Sequence, residues 1–447
     1  MYQVGFGDCF LLSFHYRSAL ADGRKERHIL IDFGSTHGPR KPVKELLEKA
    51  AALIERHCGA NGGPGKLDVL VATHRHRDHL SGFGDVDTAA VIDRLNPELV
   101  VRPWTEDPKL PADATAVSPR ASSSRRYAAS LGEAQNFAEQ VVKAVATEER
   151  FARGLADDVV ELAREQLPNR EAIERLNGWA KKGAGEYLHA GMTTAIEQLV
   201  PGVKVRVLGP PTVEQAPGVV RQRANHPEYW LTQRAMLAGD AVPLAALREL
   251  TAVARDTGMS AEAAGRASAP AGLVRWLVER MERQHLASLY RIVHTLDDAL
   301  NNTSVILLIE AGDKRLLFPG DAQIENWWYA LNDAPDCDEV RKLLAQVDLY
   351  KVGHHGSRNA TPRNALFNLW GADPDPARPM VALMSTRGGV HGRSEATAVP
   401  RATLVAALER RTTLYSTDDP NLKQPYVEVS ARLSGGHPFE RVEPDEE

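Results

Sequence analysis

Near the start of the chain two apolar runs, CFLLSFHY and RHILIDFG, flank the polar, glycine-bearing stretch RSALADGRKE. Runs of this length and composition on either side of a turn predict a β-meander. KPVKELLEKAAALIERH follows, with Val43, Leu46, Leu47, Ala50, Leu53 and Ile54 at helical spacing. NGGPG ends that helix. LDVLVAT is short and continuously apolar, the pattern of a strand buried on both faces. PELVVRP predicts another short strand, leading into the tryptophan-bearing loop RPWTEDP at 102–108.

From about residue 113 the pattern changes to Ala, Glu, Arg and Leu at helical spacing, after the polar stretch AVSPRASSSRR. VKVRVLGPP reads as a single strand stopped by prolines. A second helical block covers roughly 213–298. β-pattern then returns in SVILLIEAGDKRLLFPGD, two strands about a Gly-Asp turn. VDLYKVGHHGS and PMVALMS predict two more strands, and ENWWYAL a helix whose Trp327 and Trp328 read as packing residues. The expected organisation is one α/β domain interrupted twice. Its parts are an N-terminal half at 1–112, a helical insertion at 113–200, a core strand at 201–212, a second helical insertion at 213–298 and a C-terminal half at 299–447.

Composition narrows the classes. The chain has 447 residues, 43% of them hydrophobic, enough for a substantial core. A net charge of −5 gives no bulk signature of a nucleic-acid binder, although SPRASSSRRY and RNATPR are locally basic. Cys9, Cys58 and Cys337 are scattered and odd in number, which argues against a disulfide framework and for a reducing compartment. The N-terminus lacks a basic, cleavable leader, and no apolar run nears the roughly 20 residues that span a bilayer. A cytoplasmic protein with no membrane partner is expected.

The chemistry concentrates in ATHRHRDHLSGF, residues 72–83, where the LDVLVAT strand ends. At an extended strand end, residues two apart face the same way, so His74 and His76 can reach one ion. Asp78 and His79 follow as the chain turns and can reach a second. Imidazole with carboxylate is ligand chemistry for Zn, Mn or Fe rather than Ca.

This HxHxDH unit resembles the signature of the metallo-β-lactamase superfamily of hydrolases. The resemblance implies an αββα sandwich, here with large helical insertions, and one or two divalent metal ions, Zn or Mn. It also implies further motifs. Asp32 in ILIDFG stands where the superfamily has an early aspartate that holds a ligand histidine. Asp321 in RLLFPGD stands at the bridging aspartate. His354 and His355 in LYKVGHHGS stand at the final ligand histidine, with His354, first after the strand, the expected ligand and His355 the expected group for substrate or leaving-group contact. The metal set implied is His74, His76, Asp78, His79, Asp321 and His354, with Asp78 and His355 as catalytic groups.

One motif departs from the superfamily pattern. Before the hairpin that ends in the bridging aspartate, the superfamily carries a histidine; here the sequence reads DALNNTS, with Asn301 or Asn302 in its place. His189 and His294 are the alternatives from elsewhere in the chain. With VGFGDCFLL at the start and KVGHHGS later, this departure resembles the branch represented by the metallo-β-lactamase domain of bacterial DNA-uptake competence proteins. In that branch the first motif reads VGQGD; Gly5, Gly7 and Asp8 match, and Phe6 replaces the glutamine. His391 in GGVHGRSEA stands near a branch Gly-His-Pro.

The function so implied is a metal-dependent hydrolase using activated water, with a phosphodiester or other anionic substrate, nucleic acid among them. Asn302, Ser357, Arg358 and His391 are the expected substrate contacts, and Lys351, inside a strand, reads as structural. The helical insertions offer surface for a protein partner. Two alternatives stay open: a hydrolase of small esters, lactones or thioesters, and a non-catalytic scaffold or partner-binding protein.

Overall fold

The computed structural model describes residues 1–38, 42–59, 65–108, 169–216, 300–357, 361–363, 366–371, 379–390 and 398–443. They form a mixed α/β unit built on two multi-stranded sheets. The first sheet opens with the expected meander, β1 (Cys9–His15) antiparallel to β2 (Glu26–Phe33), pairing Leu11 with Leu30 and His15 with Glu26. The chain then crosses over through α1 (Val43–Cys58) into β3 (Val69–Val71), parallel to β2. α2 (Arg77–Gly84) and α3 (Val86–Leu95) lead to β4 (Leu99–Pro103), parallel to β3. α4 (Arg170–Lys182) precedes β5 (Ala184–Leu188), which pairs with β4 and completes the order β1-β2-β3-β4-β5.

The second sheet starts from β6 (Val203–Gly209), antiparallel to β7 (Ile306–Ala311), which forms a hairpin with β8 (Lys314–Phe318). α5 (Ile324–Trp328) and α6 (Cys337–Leu344) precede β9 (Leu349–Lys351), parallel to β8. β10 (Met380–Met384) is parallel to β9, and α7 (Ala402–Arg411) leads to β11 (Thr412–Ser416) at the edge.

Alternation along the strands sorts side chains into three cores. Ile29 and Ile31 of β2 join Phe10, Leu12, Val205, Leu307, Ile309 and Phe318 in a core shared by both sheets. Leu30 and Leu70 point the other way, onto Leu47, Ile54, Leu80, Ile92 and Leu176 of α1–α4. Leu308, Leu317 and Tyr350 meet Trp327, Val340, Leu344 and Leu408 of α5–α7. Trp327 is therefore a core residue, whereas Trp328 is exposed. Each fully buried Leu or Ile contributes roughly 1.5–3 kcal/mol. No helix among the described residues is long and apolar enough to cross a membrane.

The boundary expected for the first insertion moves. Of 113–200, residues 113–168 lie outside the described residues, but those from Asn169 on belong to the same unit as the sheets. β5 escapes a reading by pattern because AGEYL is short, carries a glycine and a glutamate, and sits half-exposed at the sheet edge. Of 213–298, only 213–216 are described and they too belong to that unit; 217–298, and any partner surface there, lie outside the described residues.

Two glycines let three segments meet at one end of the first sheet. A Cβ on Gly34 would lie 2.6 Å from the carbonyl oxygen of Arg77 and as close to the backbone of Asp78 and His79. One on Gly7 would lie 2.2 Å from Gly34 O. The Asp8 amide donates to Asp78 O at 2.9 Å across the same junction. Gly34→Ala is therefore expected to destabilise the fold by about 1–3 kcal/mol through overpacking and to lower metal content as well. Denaturant unfolding checks the first effect, and an unchanged midpoint would contradict the close approach.

Candidate metal centre

The loops after β2, β3, β8, β9 and β10 supply the site. These strands carry their chemistry at their C-terminal ends, where open α/β sheets bind ligands. Asp32, the last-but-one residue of β2, has left-handed backbone (φ 56), a conformation costly outside glycine and concentrated at functional sites. Its carboxylate accepts from the Thr73 amide and the Thr73 hydroxyl, both at 2.7 Å, and from His79 Nδ1 at 2.8 Å. Because Asp32 fixes the proton on Nδ1, the lone pair of His79 Nε2 faces away from it. Nε2 lies 3.0 Å from Asp321 Oδ2 and 4.0 Å from Asp78 Oδ2.

His355 is prepared in the same way. Its Nδ1 donates to the carbonyl of Ser385, after β10, at 2.9 Å. Its Nε2 lies 3.0 Å from Asp78 Oδ2 and 3.6 Å from Asp321 Oδ2. One ligand atom from each of Asp78, His79, Asp321 and His355 thus falls within 4.8 Å of every other, and all but the partly buried Asp78 are fully enclosed. Two imidazole lone pairs and two carboxylate oxygens aimed at one point repel each other unless a cation or protons stand among them. This donor set fits a divalent metal ion of the transition series.

The electrostatics agree. Burial works against charge on His79, but Asp321, Asp32, Asp78 and Asp8 outweigh it and push its pKa well up. The same balance raises His355, through Asp8, Asp321 and Asp78. Asp321 and Asp78 are held low against burial, Asp321 by His79, Lys351 and His355, and Asp78 by His79 and the His355 hydrogen bond.

Of the two adjacent histidines, the ring that enters the cluster is that of His355, not the expected His354. Both residues adopt left-handed backbone, with φ 44 and 53, so the chain reverses just after β9 and turns the second side chain inward. Strand periodicity cannot read such a turn in residues other than glycine. His354 instead gives its amide to Asp321 Oδ1 at 3.0 Å and meets the Ser357 hydroxyl through Nδ1 at 2.9 Å. Burial, opposed by Asp321, lowers its pKa to about 4, so its ring is neutral near pH 7.

His74 and His76 are brought together, but as a pair apart. Thr73 Oγ1, whose proton goes to Asp32, accepts from His74 Nδ1 at 3.2 Å, and His74 Nε2 and His76 Nδ1 lie 3.0 Å apart. Burial, then His79 and His76, keep His74 neutral. Among the described residues no third His, Cys, Asp or Glu closes on this pair. Asn302 accepts from the Gln323 amide at 3.2 Å and donates to Glu325 at 3.1 Å, which ties its side chain to the start of α5. Asn301 is fully buried. His189 bonds the neighbouring Ala190 carbonyl, and His294, Arg358 and His391 lie outside the described residues.

Two site residues are ones that sequence reasoning did not single out for a role. Lys351 Nζ pairs with Asp8 and with Asp321 Oδ1, the latter at 3.1 Å, and donates to Gly320 O at 3.0 Å. Burial disfavours its charge, but Asp8 and Asp321 raise its pKa. The Asp8 carboxyl, fully buried, is pushed up by burial against the pull of Lys351, His355 and His79. The available signal was a charge within each of two apolar runs, since a buried charge needs a partner. No family model and no curated protein matches the sequence.

Elemental analysis of purified protein is expected to find transition metal, reduced at least by half in His79→Ala and in Asp321→Ala; content unmoved by both would refute the assignment. Chelated protein should also respond to pH in a set direction. Raised folded-state values for His79 and His355 give stability that is full below the unfolded value of 6.5 and is lost as pH climbs through the folded values. Bound metal takes the place of those protons. The melting-temperature gap between metal-loaded and chelated protein should therefore widen from about pH 6 to about pH 8.5. A constant or shrinking gap would contradict the charge balance.

Proposed function

We propose that this chain is a metal-dependent hydrolase with the metallo-β-lactamase αββα sandwich, acting on phosphodiesters as a phosphodiesterase or nuclease. The observation that carries the reading is the convergence of His79 Nε2, His355 Nε2 and the Asp78 and Asp321 oxygens on one point at the strand ends. The motif order along the chain supports the fold, and the core shared by both sheets is compatible with a sandwich. Asp78, His79, Asp321 and His355 would hold one Zn or Mn ion, and His74 with His76 would hold a second.

Bound there, a divalent ion supplies a hydroxide from water at neutral pH. The residues do the rest. Asp78, the least buried of the four, is placed to orient that water or take its proton. Asp32 and Ser385 O keep both ligand histidines in the tautomer that leaves Nε2 free. His354 takes the substrate-facing role in place of His355. Its half-buried ring is pinned by Ser357, and with Nδ1 accepting from that hydroxyl, Nε2–H is available to an oxygen of the substrate or leaving group. Phosphodiesters are favoured over esters because the pair His74–His76 lacks the superfamily's further histidine, as in the branch the sequence resembles. Three free cysteines support a cytoplasmic setting.

The test is one panel: single- and double-stranded DNA, RNA, bis-p-nitrophenyl phosphate and a lactone, each with Zn and with Mn. Phosphodiester turnover is expected, and lactone cleavage without it would move the assignment to ester chemistry. His355→Ala should lose metal and activity together. His354→Ala should keep its metal and lose about 10²–10⁴-fold in kcat, and a loss of metal equal to that of His355→Ala would reverse the two roles.

A further inference from the structure

Arg75 stands between the two paired histidines, and while their rings meet each other its guanidinium goes elsewhere. Arg75 Nε pairs with Glu106 Oε1. Glu106 ends the short turn Trp104–Glu106 that follows β4, and its side chain is only 3% exposed. Its other oxygen accepts from Arg102 Nη2 at 2.5 Å, and Arg102 Nη1 donates to Asn177 of α4 at 2.6 Å. Arg102 is itself buried, with Tyr187 of β5 5.8 Å from its guanidinium. A single carboxylate thus joins the loop bearing His74 and His76 to β4, β5 and α4.

The pair needs such an anchor. No third ligand residue reaches it among the described residues, so its geometry must come from the backbone that carries it. The His74 Nε2 to His76 Nδ1 separation is 3.0 Å. Tetrahedral ligands at roughly 2.1 Å from a zinc ion lie about 3.4 Å apart, so a few tenths of an ångström in the loop decide whether both nitrogens serve one ion. Arg75 is the residue through which that loop is gripped. A bidentate guanidinium–carboxylate fork holds direction as well as distance.

We propose that Glu106 is a positioning residue for the metal centre: by gripping Arg75 it sets the spacing of His74 and His76, and with it the affinity of that pair for an ion. The inference rests on the metal-hydrolase reading above. It goes beyond it in assigning the second ion's affinity to a side chain that touches neither ion nor substrate.

The experiment is a cobalt(II) titration of the full chain, followed by calorimetry and by the visible absorption of the bound ion. Wild type should show two classes of binding, the stronger lost in Asp321→Ala. Arg75→Met frees the loop yet leaves Glu106 paired with Arg102, so no buried carboxylate is orphaned. It should weaken the second class about tenfold or more and change its spectrum, with the first class unmoved. Glu106→Gln should do the same, and Arg75→Lys should regain part of the affinity. Wild-type affinity and spectrum for the second class in a folded Arg75→Met protein would overturn the proposal. So would weakening of both classes alike, which marks a merely structural contact. A wild type with only the first class overturns it too, while leaving the four-residue centre standing; a wild type with neither class brings down the metal reading itself.

Discussion

Two imidazole protons govern the site. His79 and His355 each give Nδ1–H to an acceptor that cannot be refused, the Asp32 carboxylate in one case and a backbone carbonyl in the other. Both Nε2 lone pairs are thereby committed to the side where Asp78 and Asp321 present oxygen. The acceptors come from opposite sheets: Asp32 from the end of β2, Ser385 from the end of β10. The centre consequently exists only while both sheets share their core. Folding and ion binding are linked in both directions, since whatever binds the assembled site stabilises the assembly.

Much of the layout was legible in the sequence, for identifiable reasons. Apolar runs of strand length marked the strands from β1 to β4 and from β6 to β10, because each is buried on at least one face. HxHxDH, Asp32 and Asp321 were readable because they lie where such runs stop. What could not be read was set by backbone conformation or by exposure. β5 is an edge strand with a glycine and little apolar content. The exchange of roles between His354 and His355 comes from two consecutive left-handed residues, which leave no trace in periodicity. Glu106 and Arg75 are 31 positions apart and look like ordinary surface charges until folding buries them together.

The site is lopsided, and the lopsidedness is informative. Four side chains close one position completely, whereas His74 and His76 offer two nitrogens that bond to each other. Asn302, in the region where another histidine would be expected, spends its side chain on Gln323 and Glu325. An asparagine so occupied organises the start of α5 rather than serving the pair. The two halves of HxHxDH therefore differ in kind, one fixed by its own ligands and the other by the loop that carries it.

Lys351 explains how so much negative charge is tolerated and limits what Asp321 can do. Its three protons are all accounted for, by Asp8, by Asp321 Oδ1 and by the Gly320 carbonyl, so it serves as a fixed counter-charge and has none to lend to a substrate. The same Asp321 oxygen also accepts from the His354 amide. Oδ1 is thereby used up in holding the lysine and the reversed turn in place, and Oδ2 alone faces His79 and His355. If Asp321 bridges two ions, it must do so through that one oxygen. A single bridging atom sets the ions close together, within reach of one water, and the buried lysine dictates that economy.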